Sequence, residues 1–183
     1  MQTPAKSAIR RKTGVPPPEP AMIEASEIDF TIIELLYFAY RDFTSDPDMI
    51  LTHYDFGRAH HRVLHFVNRT PGLTVAELLD VLKITKQSLA RVLKQLIDTG
   101  HIMQVQGERD RRQRELHPTA KGRALALALA APQSRRISDA LRTLEPADRT
   151  VVERFLKAMV NPELREQVDK LPMTGPHRPM GGS

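Results

Sequence analysis

The sequence contains no cysteine and no tryptophan among its 183 residues. Without cysteine, the chain has no disulfide bond, thiolate metal site, cysteine nucleophile or thiol-based redox sensor. Aromatic residues make up 5% of the chain, whereas 40% of it is hydrophobic. A core of this composition is mainly aliphatic, which favours packed helices over a sandwich of aromatic-bearing strands.

Long apolar runs are missing too, since no segment approaches the roughly 18–20 apolar residues of a membrane helix. The start MQTPAKSAIRRKTGVPPPEP has basic residues but not the apolar stretch of a secretory signal. We therefore expect no membrane partner and a cytoplasmic location. The motifs G-x-S-x-G and H-E-x-x-H and a phosphate-loop motif are also absent, so we expect no enzyme activity and no cofactor.

Positive charge, by contrast, is concentrated in one part of the chain. Residues 83–114 contain eight basic and three acidic residues, a net charge of +5 that equals the formal charge of the whole chain. Four of the six residues in 109–114 are arginine. This clustering predicts a surface for a polyanion, with nucleic acid as the first candidate.

Helical patterns occupy the chain between two segments, 1–24 and 166–183, that are expected to be disordered because they are rich in proline, or in proline and glycine. Periodicity predicts one helix over 26–43 and a second that begins with Thr52 as its N-cap. Two more follow, TVAELLDVL with the capping pair Thr74 and Glu77, and TKQSLARVLKQLIDTG ending at Gly100. Thr74 is also a candidate phosphate contact at a helix start.

A basic β-hairpin follows these two short helices. HIMQVQ and RELHP have the pattern of paired strands, with residues 107–113 as the loop. Two helices, a short turn and a basic hairpin predict a winged helix-turn-helix within a mainly α-helical fold.

The helix after Thr85 has the pattern of a DNA recognition helix. Leu89, Val92, Leu93 and Leu96 share one face. Gln87 suits adenine and Arg91 guanine in the major groove, whereas the lysines add affinity that does not depend on base sequence. The candidates for DNA contact are Thr85, Lys86, Gln87, Ser88, Arg91 and Lys94.

The arginines of the hairpin suit the narrow minor groove beside such a helix, where the negative potential is strongest. Asp110 repels phosphate, so we expect it to orient Arg112 instead. The candidates in this wing are Arg109, Asp110, Arg111, Arg112 and Arg114.

Residues 28–160 resemble the MarR family of bacterial transcriptional regulators. The resemblance is carried by LTHYDFGRAHHRVLHFV, PGLTVAELLDVLKITKQSLARVLKQLIDTGHI and ERDRRQRELHPTAKG, in which Asp110–Arg112 match the D-x-R wing signature. DFGRAHHRVLHFVNRTPG is similar to the PetP-like subgroup. Pro118 departs from the family pattern and is expected to shorten the third strand.

The resemblance implies a homodimer on double-stranded DNA in the bacterial nucleoid, most often a repressor. It implies helical dimerisation regions at 25–50 and 119–165 and a winged helix-turn-helix domain at 51–118. Many family members release DNA when a small aromatic or phenolic acid enters a cleft between these domains. Family position gives the cleft candidates Tyr37, Tyr40, His53, Phe56 and His60, with plain core and dimer contacts as the alternative.

His61 and His65 lie four residues apart on one helix and are candidates for a metal site. An ordinary polar face is the alternative, because no complete ligand set surrounds them in the sequence. A metal-responsive regulator and a winged-helix module that contacts protein instead of DNA are the two other functions considered.

Overall fold

The computed structural model describes residues 24–107 and 112–170 of the chain. Within these ranges it has a short 3-10 helix, Ala25–Glu27, seven α-helices and three strands. The helices are α1 Phe30–Thr52, α2 Arg58–Arg69, α3 Val75–Leu82, α4 Lys86–Asp98, α5 Ala120–Leu141, α6 Asp148–Met159 and α7 Pro162–Lys170. The strands are β1 Leu73–Thr74, β2 Ile102–Gln106 and β3 Arg114–Pro118.

The chain divides into two units, residues 1–37 and 38–183. The described part of the first unit contains the 3-10 helix and the beginning of α1. Its large apolar side chains are at least one-third exposed; they are Ile28, Phe30, Ile32, Ile33, Leu35, Leu36 and Tyr37.

The second unit contains the hydrophobic core. Helices α2, α3 and α4 each bury one apolar face there, and β2, β3 and the first half of α5 close it. The buried side chains are Leu51, Phe56, Val63, Leu64, Val67, Leu78, Leu82, Leu89, Val92, Leu93, Leu96, Ile102, Leu116, Leu125, Ala126 and Leu129. The core is almost wholly aliphatic, as the composition predicts.

The three strands form one antiparallel sheet in the order β1–β3–β2. The hairpin of β2 and β3 confirms the predicted wing strands, with Gln106 opposite Arg114. β1 was not predicted, because two residues are too few to show an alternating pattern. The expected shortening at Pro118 is wrong, since β3 extends to Pro118, which lies opposite Ile102.

Helix α1 is longer than the sequence pattern indicates, and Thr52 is not the N-cap of the next helix. α1 continues through Pro47 to Thr52, and Gly57 precedes α2. A proline inside a helix leaves the carbonyl four residues earlier without its donor. Here the Nε2 of Gln133 donates to that carbonyl, the oxygen of Phe43, at 3.2 Å. This replacement bond helps α1 to continue, and it comes from α5, 90 residues away.

Capping residues determine where the short helices begin and end. Thr74, Thr85 and Thr119 each accept a backbone N–H from the first turn of α3, α4 and α5. Gly100 has a φ of 72°, as expected for the residue that follows a helix terminus. The capping predictions for Thr74 and Gly100 are therefore confirmed.

The two predicted tails differ in outcome. Residues 1–23 and 171–183 lie outside the described ranges. Disorder was expected from residue 166 onward. This expectation is wrong for residues 166–170, which form the end of α7. Four of the nine residues of α7 are acidic or amide residues, so its apolar pattern is too sparse to predict a helix.

Candidate nucleic-acid interface and ligand pocket

Helix α4 presents a polar face to solvent. Leu89, Val92, Leu93 and Leu96 are buried, which confirms the predicted apolar face. All six predicted contact positions are exposed: Thr85, Lys86, Gln87, Ser88, Arg91 and Lys94. A helix that buries one face in the core and exposes the opposite face can enter a major groove without disturbing its packing.

Several of these side chains already have partners within the protein. Lys94 forms an ion pair with Asp98, four residues later. The hydroxyl of Thr85 donates to the Ser88 hydroxyl at 2.9 Å and accepts the Ser88 N–H at 3.2 Å. Lys94 must therefore exchange Asp98 for a phosphate if it contacts DNA.

Thr74 is engaged in the same way at the start of α3. Its N–H and its hydroxyl both donate to the Glu77 carboxylate, each at 2.8 Å. The carboxylate occupies the helix N-terminus, where a phosphate would otherwise bind. This geometry favours a structural capping role for Thr74 over the expected phosphate contact.

The wing is described at its base but not at its tip. Arg109, Asp110 and Arg111 lie outside the described residues. Arg112 and Arg114 are exposed. The N–H of Gly107 donates to the carbonyl of Gln113 at 3.1 Å, which closes the base of the hairpin.

A pocket of about 300 Å³ lies between α1, α2 and α5 in the second unit. Aromatic rings and cationic side chains dominate its lining. The lining residues are Tyr40, Phe43, Thr44, Asp48, Arg58, His61, Arg62, His65, Phe66 and Gln133.

Tyr40 alone of the five predicted cleft residues lines this pocket. Tyr37 is 68% exposed in the first unit, and His53 is exposed in the turn after α1. Phe56 is buried in the core and stacks on His60, with ring centroids 4.7 Å apart. Phe56 and His60 do not line this pocket, because packing and hydrogen bonding engage both elsewhere, and their assignment to an effector cleft stays a prediction.

His60 forms a bridge from α2 to α4. The N–H of Gly57 donates to His60 Nδ1 at 3.1 Å, so the ring proton resides on Nε2 and is donated to Gln95 Oε1 at 2.9 Å. The amide of Gln95 donates in turn to the carbonyl of Asp55 at 3.1 Å. The sequence contains no sign of this bridge, because Gln95 lies 35 residues from His60 and 40 residues from Asp55.

The pocket has an excess of positive charge. Arg58 forms an ion pair with Asp48 at 2.7 Å, whereas Arg62 donates from Nη2 to the carbonyl of Leu82 at 2.8 Å. Burial lowers the pKa of His61, with a further lowering from His65 and a partial offset by Asp48. Burial, and then Arg69, lowers the pKa of His65. The two imidazoles are therefore neutral near pH 7, and the guanidiniums carry the charge.

His61 and His65 do line one pocket, as their spacing implies. Within residues 24–107 and 112–170, however, no group of three or more His, Cys, Asp or Glu side chains is placed to hold a metal ion. In the same ranges, no helix combines the length and apolar character needed to cross a membrane.

Comparison with known proteins agrees with this architecture. Residues 54–113 match the model of the MarR family. Over 159 residues the chain is 45% identical to the HTH-type transcriptional regulator PetP of Rhodobacter capsulatus, covering 87% of this chain and 96% of that protein.

Solved structures show the same fold at lower sequence identity. A MarR protein from Peptoclostridium difficile superposes with a TM-score of 0.62 at 20% identity, over 83% of this chain and 99% of that one. Streptococcus pneumoniae FabT in complex with DNA gives a TM-score of 0.62 at 19% identity, over 76% and 96% of the two chains.

Proposed function

Because this chain belongs to the MarR family of transcriptional regulators, we propose that it is a homodimeric, sequence-specific DNA-binding repressor. The family consists of regulators and not of enzymes. The observation that carries the proposal is α4, which buries four apolar side chains in the core and exposes a basic, amide-bearing face at its N-terminal half.

In this proposal the first turns of α4 enter the major groove. Gln87 and Arg91 contact base edges, and Lys86 contacts phosphate. Arg112 and Arg114, together with Arg109 and Arg111, reach the adjacent minor groove, whereas Asp110 is expected to orient Arg112. Lys94 contributes less, because it exchanges one anionic partner for another.

Apolar surface supports the homodimer. The exposed side chains of α1 in the first unit have counterparts on α5 and α6 in the second: Leu127, Ile137, Val151, Phe155, Leu156 and Met159 are 49–59% exposed. Exposed apolar residues in such numbers mark an interface more often than a free surface. Two recognition helices would then read half-sites about one helical turn apart.

We assign release from DNA to the pocket between α1, α2 and α5. Its aromatic rings and its two guanidiniums suit a small aromatic acid, with the ring against Tyr40, Phe43 or Phe66 and the carboxylate near Arg58 or Arg62.

The test is binding to the duplex upstream of the protein's own gene, titrated with salt and competed with random duplex. A specific regulator binds tightly, resists the competitor and loses affinity steeply with salt, with a slope of about −0.9 per phosphate contacted. Arg112→Ala is expected to weaken operator binding by about tenfold and to leave the dimer intact. Binding that random duplex removes equally, at every salt concentration, would contradict sequence-specific recognition. No binding at all would favour a module that contacts protein.

A further inference from the structure

One side chain lines the pocket and also contacts the helix-turn-helix. Arg62, on α2, is among the pocket residues, and its Nη2 donates to the carbonyl oxygen of Leu82 at 2.8 Å. Leu82 is the last residue of α3. The last carbonyls of a helix have no donor within the helix, so Arg62 supplies one there and places a positive charge at the negative end of α3.

The segment that follows Leu82 determines where the recognition helix begins. Lys83 adopts a left-handed conformation, with a φ of 50°, and its N–H donates to the carbonyl of Leu79 at 2.9 Å. Thr85 is already the N-cap of α4. With three residues between Leu82 and α4, a displacement at the Leu82 carbonyl is transmitted to the first turn of α4, which carries the proposed base contacts.

The two pocket arginines differ in their present partners. Arg58 is held by the Asp48 carboxylate, an anion, at 2.7 Å. The described partner of Arg62 is a neutral carbonyl. Charge-assisted hydrogen bonds are about twice as strong as neutral ones. A carboxylate in the pocket therefore competes for Arg62 more readily than for Arg58.

We propose that Arg62 is the positioning residue that couples the pocket to the recognition helix. A carboxylate bound in the pocket draws the guanidinium away from the Leu82 carbonyl and loosens the turn at 83–85. The displaced first turn of α4 then no longer fits the major groove. This inference rests on the proposed function, since it specifies how occupancy of that pocket lowers affinity for DNA.

The experiment compares operator affinity with and without saturating sodium benzoate in three proteins. Arg62→Met removes the donor and the charge but keeps an apolar stem. Arg58→Met removes a charge from the same pocket without touching the helix-turn-helix, so it controls for lost charge. Isothermal titration measures benzoate binding separately, and thermal melting verifies that each variant is folded.

Benzoate is expected to weaken operator binding of the wild-type protein by about tenfold, a typical allosteric coupling. Arg62→Met should bind the operator more weakly than Arg58→Met without benzoate, and saturating benzoate should change its affinity less than twofold. Arg58→Met should bind benzoate more weakly but keep the full tenfold effect at saturation. Arg62→Lys, which retains a charged donor, should recover part of the coupling.

A second readout does not depend on DNA. Benzoate should accelerate hydrogen exchange of the amides of residues 83–88 in the wild-type protein and leave them unchanged in Arg62→Met. A full benzoate effect in Arg62→Met, or a wild-type protein whose exchange at 83–88 does not respond to benzoate, would overturn the coupling role. A wild-type protein that responds in exchange but binds no operator would instead refute the proposed function.

Discussion

Replacing Gly122 with alanine is expected to lower the free energy of unfolding by about 3 kcal/mol. Gly122 is a buried residue in the first turn of α5. A Cβ at this position would lie 1.9 Å from the carbonyl oxygen of His101 and 2.8 Å from its carbonyl carbon. Both atoms are backbone, so a rotamer change cannot relieve the overlap.

The magnitude follows from the displacement required. A carbon normally approaches a carbonyl oxygen to about 3.3–3.6 Å, so α5 has to retreat by about 1.5 Å. That movement strains two bonds that dock the helix start, from the Thr119 N–H to the carbonyl of His101 at 3.1 Å and from the Thr119 hydroxyl to the carbonyl of Gly100 at 2.7 Å. Overpacking costs about 1–3 kcal/mol and each lost hydrogen bond about 1 kcal/mol, whereas the higher helix propensity of alanine returns about 1 kcal/mol.

Urea denaturation and thermal melting measure this change, and a loss of 3 kcal/mol corresponds to a fall in Tm of about 6–12 °C. Gly57→Ala is the matched control, because nothing lies within 4 Å of a Cβ at Gly57 and its φ of −119° suits any residue. The control should cost less than about 1 kcal/mol. If Gly122→Ala costs no more than Gly57→Ala, then α5 does not approach the His101 backbone as closely as described, and the reasoning is refuted.

Three further outcomes are expected. Arg91→Ala should weaken operator binding by about 1–3 kcal/mol, and Lys94→Ala, whose side chain is already paired within the helix, by clearly less; equal losses in fluorescence anisotropy would contradict the assigned roles. The free energy of unfolding should fall as the pH drops below about 6.5, because burial, and then Lys121, lowers the pKa of His101 in the folded state, so the unfolded chain takes up the proton first. Urea titrations at several pH values check this. In His101→Gln the free energy of unfolding should depend less steeply on pH, and an unchanged dependence would exclude His101 as a cause of it. Gln95→Ala should cost about 1 kcal/mol or more, because it removes both hydrogen bonds of the bridge, including the part-buried bond from His60; a neutral effect in denaturation would show that the bridge does not stabilise the fold.

Local patterns in the sequence were sufficient to predict the helix-turn-helix and the hairpin that follows it. Threonine caps, the glycine after α4 and the spacing of Leu89, Val92, Leu93 and Leu96 act within one or two helical turns, so the residues themselves reveal them. The same holds for the hairpin, whose two strands are adjacent in the chain. These features predicted the winged helix-turn-helix and the exposed face of α4.

The pocket was predicted less well, because its lining depends on how three helices pack. Tyr40 lines the pocket, as its family position implies. Phe56 and His60 were assigned to the cleft by their position in the family pattern. In the folded protein their rings stack on one another, and His60 bonds to Gln95 of α4.

The sequence by itself determined the fold class, helix α4 with its buried apolar face and exposed polar face, and the family resemblance, because each depends on short-range periodicity, capping and charge. Only the tertiary structure decided which side chains share the pocket, how α1 continues through Pro47 and where Arg62 points. The physical reason is the range of the contacts. Gln133 reaches Phe43 across 90 residues, and Arg62 reaches Leu82 across 20. No local pattern encodes such contacts, since they exist only once the core has brought the helices together.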